Sequence, residues 1–438
     1  MSMRTNDDRL HRLPATDHDT PATGPRPRST QRVQVPHPPR AIPPQAATTA
    51  SARTPRAAET LRVVVIGAGY AGVMAANRLA GHRTRSAAPI RVALVNPVDV
   101  FTERIRLHEA LTAGGDASIP LHELLNEHVE LVVGRATLVD RDAAVVRLDD
   151  DRTLPFDRVV IATGSSAAGP AGTLPLSTRE HLAPLRQALE ATDTSDTPSI
   201  RVIGGGLTGI EVAAELASAP RKPSSARLGV PRAGRSVELI DTRIVGGTLG
   251  ARARQHARAR LTRLGVHLVD RATSTPGAGP APGALMIWAG GFRPVTVPIE
   301  PPVAMAGDGR IVVDAALRSP DDPRILAAGD CASSPASHVR ASCAAALPLG
   351  AGAASTVIAE QEGGVARDVR VGFLGRCLSL GREYGLLDVA RADDRSIGLI
   401  VGGRTGRLVK DQIMNRTTFW LRGEAARSGW YRGTPGPA

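Results

Sequence analysis

"RVVVIGAGYAGVMAANRLA", residues 62–80, and "RVIGGGLTGIEVAAELA", residues 201–217, decide the fold of this chain. Each runs from a short apolar stretch, through glycines spaced G-x-G-x-x-G, into a helical pattern. The spacing has a physical cause. The first glycine makes a tight turn, the second lets backbone approach a pyrophosphate, and the third allows close helix–strand packing. The N–H groups of the first helical turn then face the phosphates, supported by the helix dipole. In the first finger the glycines are Gly67, Gly69 and Gly72, with Tyr70 and Ala71 between them; in the second they are Gly204, Gly206 and Gly209, with Thr208. A lone glycine turn is weak evidence, but each of these is followed by a second strand, "IRVALV" (90–95) and "SVELID" (236–241).

The residue closing each second strand meets the adenosine ribose in such a unit. In the second unit it is Asp241, which can accept from both ribose hydroxyls and would repel a 2′-phosphate. NADH is therefore favoured over NADPH, a preference that Arg243, two residues on, softens. In the first unit it is Asn96, which hydrogen-bonds without charge. A third signal is "RILAAGD" (324–330), where a buried strand ends in Gly329 and Asp330 ahead of an Ala-rich helix expected at about 341–360. A carboxylate there suits the hydroxyls of a ribityl chain, although an Asp after a strand is by itself more often a helix cap.

Residues 1–58, rich in Pro, Thr, Arg and Ala without apolar periodicity, are expected to form a disordered arm. Residues 130–161 read as a β-meander of "VELVVG", "ATLVD", "AVVRLD" and "DRVVIATG". A polar, Pro-rich link (169–198), a long Pro/Ser/Arg loop (218–235) and the strand of "ALMIWAGG" (284–291) follow, with further strand-like segments over 370–438. Aromatic residues are only 3% of the chain, so the core must be built from Ala, Val, Leu and Ile. The formal charge of +12 rests on arginine, the lysines being Lys222 and Lys410; scattered charge of this kind is mostly solvated surface, and nucleic acid is disfavoured as a partner. Cys331, Cys343 and Cys377 have neither CxxC nor CxxxxC spacing, which argues against zinc, a disulfide framework or a redox dithiol, and no metal is expected. Residues 1–30 have no apolar export core, and neither 63–77 nor the Pro348-containing 341–359 is a convincing membrane span. A soluble, cytoplasmic protein is the expectation.

"VVVIGAGYAG", "VVIATG", "VIGGGLTGIE" and "RILAAGD", in that order and spacing, resemble the two-dinucleotide-binding flavoproteins related to the pyridine nucleotide–disulfide oxidoreductases, over roughly residues 60–365. The resemblance implies an α/β fold: two Rossmann-like domains, the NAD domain inserted in the FAD domain, and a small C-terminal α+β domain. The implied boundaries are 59–165 and 292–365 for the two parts of the FAD domain, 166–291 for the NAD(P)H domain, and 366–438 for a C-terminal interface domain. By position, Gly67, Gly69 and Gly72, with Tyr70 and Ala71, would cradle the FAD pyrophosphate. Asn96 would meet its ribose, Ala136 would lie near its adenine, and Asp330 beside Gly329 would bind the ribityl hydroxyls. Arg104 and the "ATG" segment, Ala162, Thr163 and Gly164, would run close to the same cofactor. Gly204, Gly206, Thr208, Gly209 and Asp241 would hold NADH, bordered by Gly290 and Gly291. Glu211, on the first turn after the second finger, matches the acid that contacts the nicotinamide carboxamide; its plain alternative is a solvated or capping helix carboxylate.

"FTERIRLHEALTAGG" (101–115) carries no cysteine where disulfide reductases and single-cysteine peroxidases place theirs. The chain thus looks like the type II NADH dehydrogenase and apoptosis-inducing-factor-like branch. Those dehydrogenases usually show glutamines in an AQxAxQ pattern at the quinone site, whereas Cys343, Ala344 and Ala345 through Leu349 include none. The acceptor stays open between a quinone and another small molecule or electron carrier. His108 lies close to the acceptor side in this reading and could donate a proton, or be a structural histidine. The C-terminal Phe419, Trp420, Trp430 and Tyr431 beside arginines suit a peripheral anchor on the inner face of a membrane, a packed terminal hairpin, or a homodimer contact. A competing reading is a redox-sensing flavoprotein of the apoptosis-inducing-factor type, binding nucleic acid or protein through basic segments such as "ARARQHARARLTRLG" (251–265).

Overall fold

Two five-stranded sheets carry the two fingers. The computed structural model describes residues 60–82, 89–193, 199–219, 236–271 and 284–437, so the arm 1–58 and nearly all of the 218–235 loop lie outside the described residues. The first sheet runs Ile325–Ala327, Arg158–Ile161, Leu61–Ile66, Ile90–Asn96, Val129–Val133, with every pair parallel. The second runs Leu174–Pro175, Leu285–Trp288, Ser199–Ile203, Ser236–Ile240, Val266–Val269, again all parallel. Each finger strand is central and has the strand that follows its helix on one side. The second sheet is built from residues between Ile161 and Ile325 of the first, so one doubly wound unit interrupts the other. Val63–Ile66 are buried without alternation, the pattern of a parallel strand covered on both faces.

The meander expected over 130–161 is shorter than its sequence suggests. Val129–Val133 and Arg158–Ile161 belong to the first parallel sheet, and only Ala136–Asp140, Val145–Leu148 and Thr153–Pro155 pair antiparallel. Short apolar runs look alike whether their partner is a neighbour in sequence or a strand far away. The 169–198 link also contains a helix, Leu182–Asp193, whose Leu182, Leu185 and Leu189 are buried in the second core.

Cys343–Gln361 forms the expected Ala-rich helix, with Ser342 as its cap accepting from Ala345 N. By length and composition it alone among the described helices could cross a membrane, yet most of it is buried. It packs on the first finger helix, Tyr70–Ala80, closely enough that a Cβ on Gly350 would overlap the Ala71 carbonyl. The C-terminal segment folds as three antiparallel strands, Gly375–Ser379, Gly385–Ala390 and Ser396–Gly402, followed by the helix Gly403–Ala426. After that helix the chain turns back. Trp430 meets Phe419 edge-on at 5.1 Å and Tyr431 meets Trp420 at 5.5 Å, while Phe419 stays 58% exposed. The arginines of Ala251–Arg263 are not simply a solvated face: Arg258 pairs with Asp270 at 2.7 Å, and Arg260 lies over the Tyr384 ring at 4.9 Å.

Candidate active site

The two fingers are built alike to the level of single atoms. Gly67 and Gly204 have φ of +100° and +113°, and a Cβ on either would strike the carbonyl of Ala162 or Ala289. A Cβ on Gly72 or Gly209 would overlap the carbonyl oxygen of Gly67 or Gly204, the close approach that seats each helix on its strand. Gly69 and Gly206, the helix N-caps, face open space. Neither helix has a side-chain cap or an acid in its first turn, so the first N–H groups are left for a ligand.

Both fingers open onto one cleft of about 770 Å³. From the first unit it is lined by Gly69, Tyr70 and Ala71, by Arg104 and His108, by Ala162 and Gly164, and by Gly329 and Asp330. From the second it is lined by Gly204, Gly206, Thr208, Glu211, Asp241, Gly290 and Gly291. The remaining expected residues stand behind this wall. Gly67, Gly72 and Gly209 support the turns as described. Asn96 braces the first finger, its Oδ1 accepting from Ala68 N at 3.0 Å and its Nδ2 donating to Val98 O at 2.7 Å. The Thr163 hydroxyl donates to Val295 O, and Ala136 sits half-buried on the antiparallel sheet against the first core.

Arg104 and Asp330 meet at Ser165: its carbonyl accepts from Arg104 Nη1 at 2.9 Å, and its hydroxyl donates to Asp330 Oδ2 at 2.6 Å. The Arg104 guanidinium also lies 5.0 Å from the Phe292 ring centre. Burial lowers its pKa, and the Asp330 charge opposes that.

Glu211 is on the second turn of its helix, not the first, because that helix begins at Leu207. Its Oε1 accepts from Lys410 Nζ at 2.7 Å and from Ser379 N at 2.9 Å. Its Oε2 lies 4.0 Å from His108 Nδ1. Burial alone would raise the Glu211 pKa, but the Lys410 charge above all, with the hydrogen bonds from Lys410 and Ser379 N, outweighs it and holds the carboxyl below its ordinary range. Burial likewise works against the Lys410 charge, and Glu211 above all keeps its pKa raised. At His108 burial wins: its pKa is lowered despite Glu211. The pair is therefore charged at neutral pH and the imidazole neutral. His108 is 3% exposed and its Nε2 has no partner, so the ring is set in the cleft wall with one nitrogen sealed. Cys343 and Cys377 line the same end of the cleft as free thiols, Cys377 being pushed up to about 11 by burial.

Sequence reasoning missed Lys410, the one lysine among the described residues, which arrives from the helix Gly403–Ala426. One signal was present: a chain that otherwise uses arginine places a lysine here. Trp288, whose buried Nε1 has no partner beside Gly290, was missed as well.

Paired glycine fingers on parallel sheets, opening onto a shared cleft, are the arrangement of a protein with two dinucleotide-type sites. The family model described as pyridine nucleotide-disulphide oxidoreductase matches residues 61–345, and the chain belongs to that family. An NADH dehydrogenase-like protein of Mycobacterium tuberculosis is 33% identical over 300 residues, 62% of this chain and 72% of the relative. The demethylphylloquinone reductase of Synechocystis is 28% identical over 232 residues, 49% of this chain and 54% of that one. The structure of Plasmodium falciparum NDH2 in complex with NADH superposes with a TM-score of 0.64 at 13% identity, covering 85% of this chain and 99% of that one. This chain is an oxidoreductase of that family, NADH dehydrogenase-like, and the resemblance implies FAD and NADH for its two sites. Its residues fit two such groups: two uncapped helix N-termini behind Cβ-free turns, and an acid, Asp330, on the cleft wall.

Proposed function

We propose that the chain oxidises NADH at the second finger and passes the electrons through FAD at the first finger to a small-molecule acceptor, a quinone being the leading class. The observation that carries this reading is the shared cleft, in which Gly206 and Glu211 of one unit line the same space as Gly69 and Asp330 of the other. The two cofactors, when bound, supply hydride transfer from nicotinamide to flavin and electron release to the acceptor. The protein binds, orients and sets charge. The free N–H groups after Gly69 and Gly206 hold the pyrophosphates. Asp330, already accepting from Ser165, offers its remaining lone pairs to ribityl hydroxyls, and Asp241 does the same for the adenosine ribose.

Glu211, fixed through Oε1 by Lys410 and Ser379 N, keeps Oε2 to accept from a carboxamide N–H and so orients the nicotinamide. Lys410 holds a positive charge on the cleft wall where negative charge develops. His108, whose Nδ1 faces Glu211, stands behind that carboxylate as a proton donor for an acceptor that takes up protons. The demethylphylloquinone reductase relative supports the quinone assignment, and the apolar Ile413, Met414 and Ala346 of the cleft suit such a ring.

The test is anaerobic titration of the purified chain with NADH. It is expected to carry FAD and to bleach stoichiometrically, then to recolour on adding a quinone. A chain that holds FAD but is not bleached by NADH overturns the assignment.

A further inference from the structure

The chain crosses from the first nucleotide unit to the second and back over two short strands, Ser165–Ser166 and Arg293–Pro294, which pair antiparallel with Ser165 opposite Pro294. Val295 N donates to Gly164 O at 3.0 Å and adds one rung to the ribbon. A ribbon this short is soft by itself, since an isolated two-stranded pairing is marginal without outside packing. Its position matters, because Gly164, just before the outgoing strand, and Phe292, just before the returning one, both line the cleft.

Arg104 reaches both strands from outside the ribbon. It stands on the turn Arg104–Arg106, directly ahead of the helix Leu107–Ala113 that carries His108. Its Nη1 donates to Ser165 O at 2.9 Å, and its guanidinium lies 5.0 Å from the centre of the Phe292 ring. The Ser165 hydroxyl in turn donates to Asp330 at 2.6 Å. One cation therefore links the wall of the first site, through Ser165 to Asp330, with Phe292, which follows Gly290 and Gly291 at the border of the second. The Phe292 ring is 40% exposed, so burial does not fix it, and the guanidinium gives it a seat. Transfer between two bound rings depends steeply on their approach, a displacement of about 1 Å costing on the order of 100-fold in rate.

We propose that Arg104 is a positioning residue: by holding Ser165 and Phe292 together, it sets the approach of a nicotinamide on the second unit to a flavin on the first. The proposal rests on the assignment of NADH and FAD to the two fingers. It is tested on the FAD-loaded chain by stopped-flow bleaching with NADH, calorimetric titration with NAD⁺, and FAD content read from the visible spectrum. Arg104→Met and Phe292→Leu are each expected to slow bleaching about 10- to 100-fold, while NAD⁺ affinity changes less than about threefold. The double variant is expected to be no slower than the slower single variant, because both changes break one contact. A purely structural role would lower FAD content or the denaturation midpoint and would not separate rate from affinity. Slowing that multiplies in the double variant, NAD⁺ affinity that falls in step with the rate, or a Phe292→Leu chain that bleaches at the native rate overturns this proposal alone. Phe292→Leu decides the matter where Arg104→Met does not retain FAD. A native chain that NADH does not bleach takes down the parent assignment and this one with it.

Discussion

The two finger helices are pinned to the same C-terminal helix, Gly403–Ala426, by two ion pairs in different surroundings. The first helix is held from its last turn, where Arg78 reaches Glu424 at 2.7 Å; the glutamate side chain is fully buried and also accepts from Gly429 N and Tyr431 N. The second is held from its second turn, where Glu211 meets Lys410 at 2.7 Å on the wall of the cleft. One pair is sealed behind its finger and answers every lone pair with a fixed donor. The other keeps an oxygen of Glu211 and a positive charge facing the space where chemistry occurs. The same device serves as a bolt in one place and as working equipment in the other, and the difference is access to the cleft.

The bolt is the place to look for the largest effect. Glu424→Gln leaves Arg78 without a counter-charge and is expected to cost about 3–5 kcal/mol of stability, read as a lowered denaturation midpoint, with NADH bleaching retained in the surviving fold. Next comes Gly209→Val, which forces atoms into the Gly204 carbonyl. Overpacking of about 1–3 kcal/mol predicts a rise in the dissociation constant for NADH of roughly 10- to 100-fold. FAD content should be kept, whereas Gly72→Val should lose FAD instead. If either variant loses both, the fingers are not independent.

Lys410→Met probes the working pair through pH. In the native chain the Glu211 pKa is depressed, so its contribution is complete above the ordinary glutamate value of 4.5 and is lost as pH falls through the folded value. Without Lys410, burial dominates and raises that pKa, so the sign reverses and stability falls as pH rises. Urea melts between acid and neutral pH should show the reversed slope, with about 1–3 kcal/mol lost at neutrality. The smallest effect is expected at His108. His108→Gln should lower turnover with a quinone, which takes up protons, about tenfold more than turnover with ferricyanide, which takes none. Burial lowers the His108 pKa below 6.5. The histidine-dependent part should therefore grow as pH falls from 6.5 towards the folded value.

The fingers were legible because their requirements are local. A tight turn, a close approach and an open helix end each demand glycine at a fixed spacing, and Gly67 through Gly72 and Gly204 through Gly209 meet them within six residues. "RILAAGD" was legible for the same reason, since a buried strand and its terminal acid are neighbours in the chain. Val129–Val133 was misread because its partner is decided by the whole sheet, and the helix Leu182–Asp193 because a link of mixed polarity hides one buried face.

The sequence by itself determined that there are two nucleotide units of one design, which one carries the acid, and the absence of a redox CxxxxC. Only the tertiary structure decided that they share a cleft, that Asp241 accepts from Gly205 N and so braces its finger, and that Lys410 completes Glu211 from a helix 199 residues away. Backbone turns are specified by adjacent residues. A buried charge pair is specified by where two distant helices come to rest, and no local pattern records that.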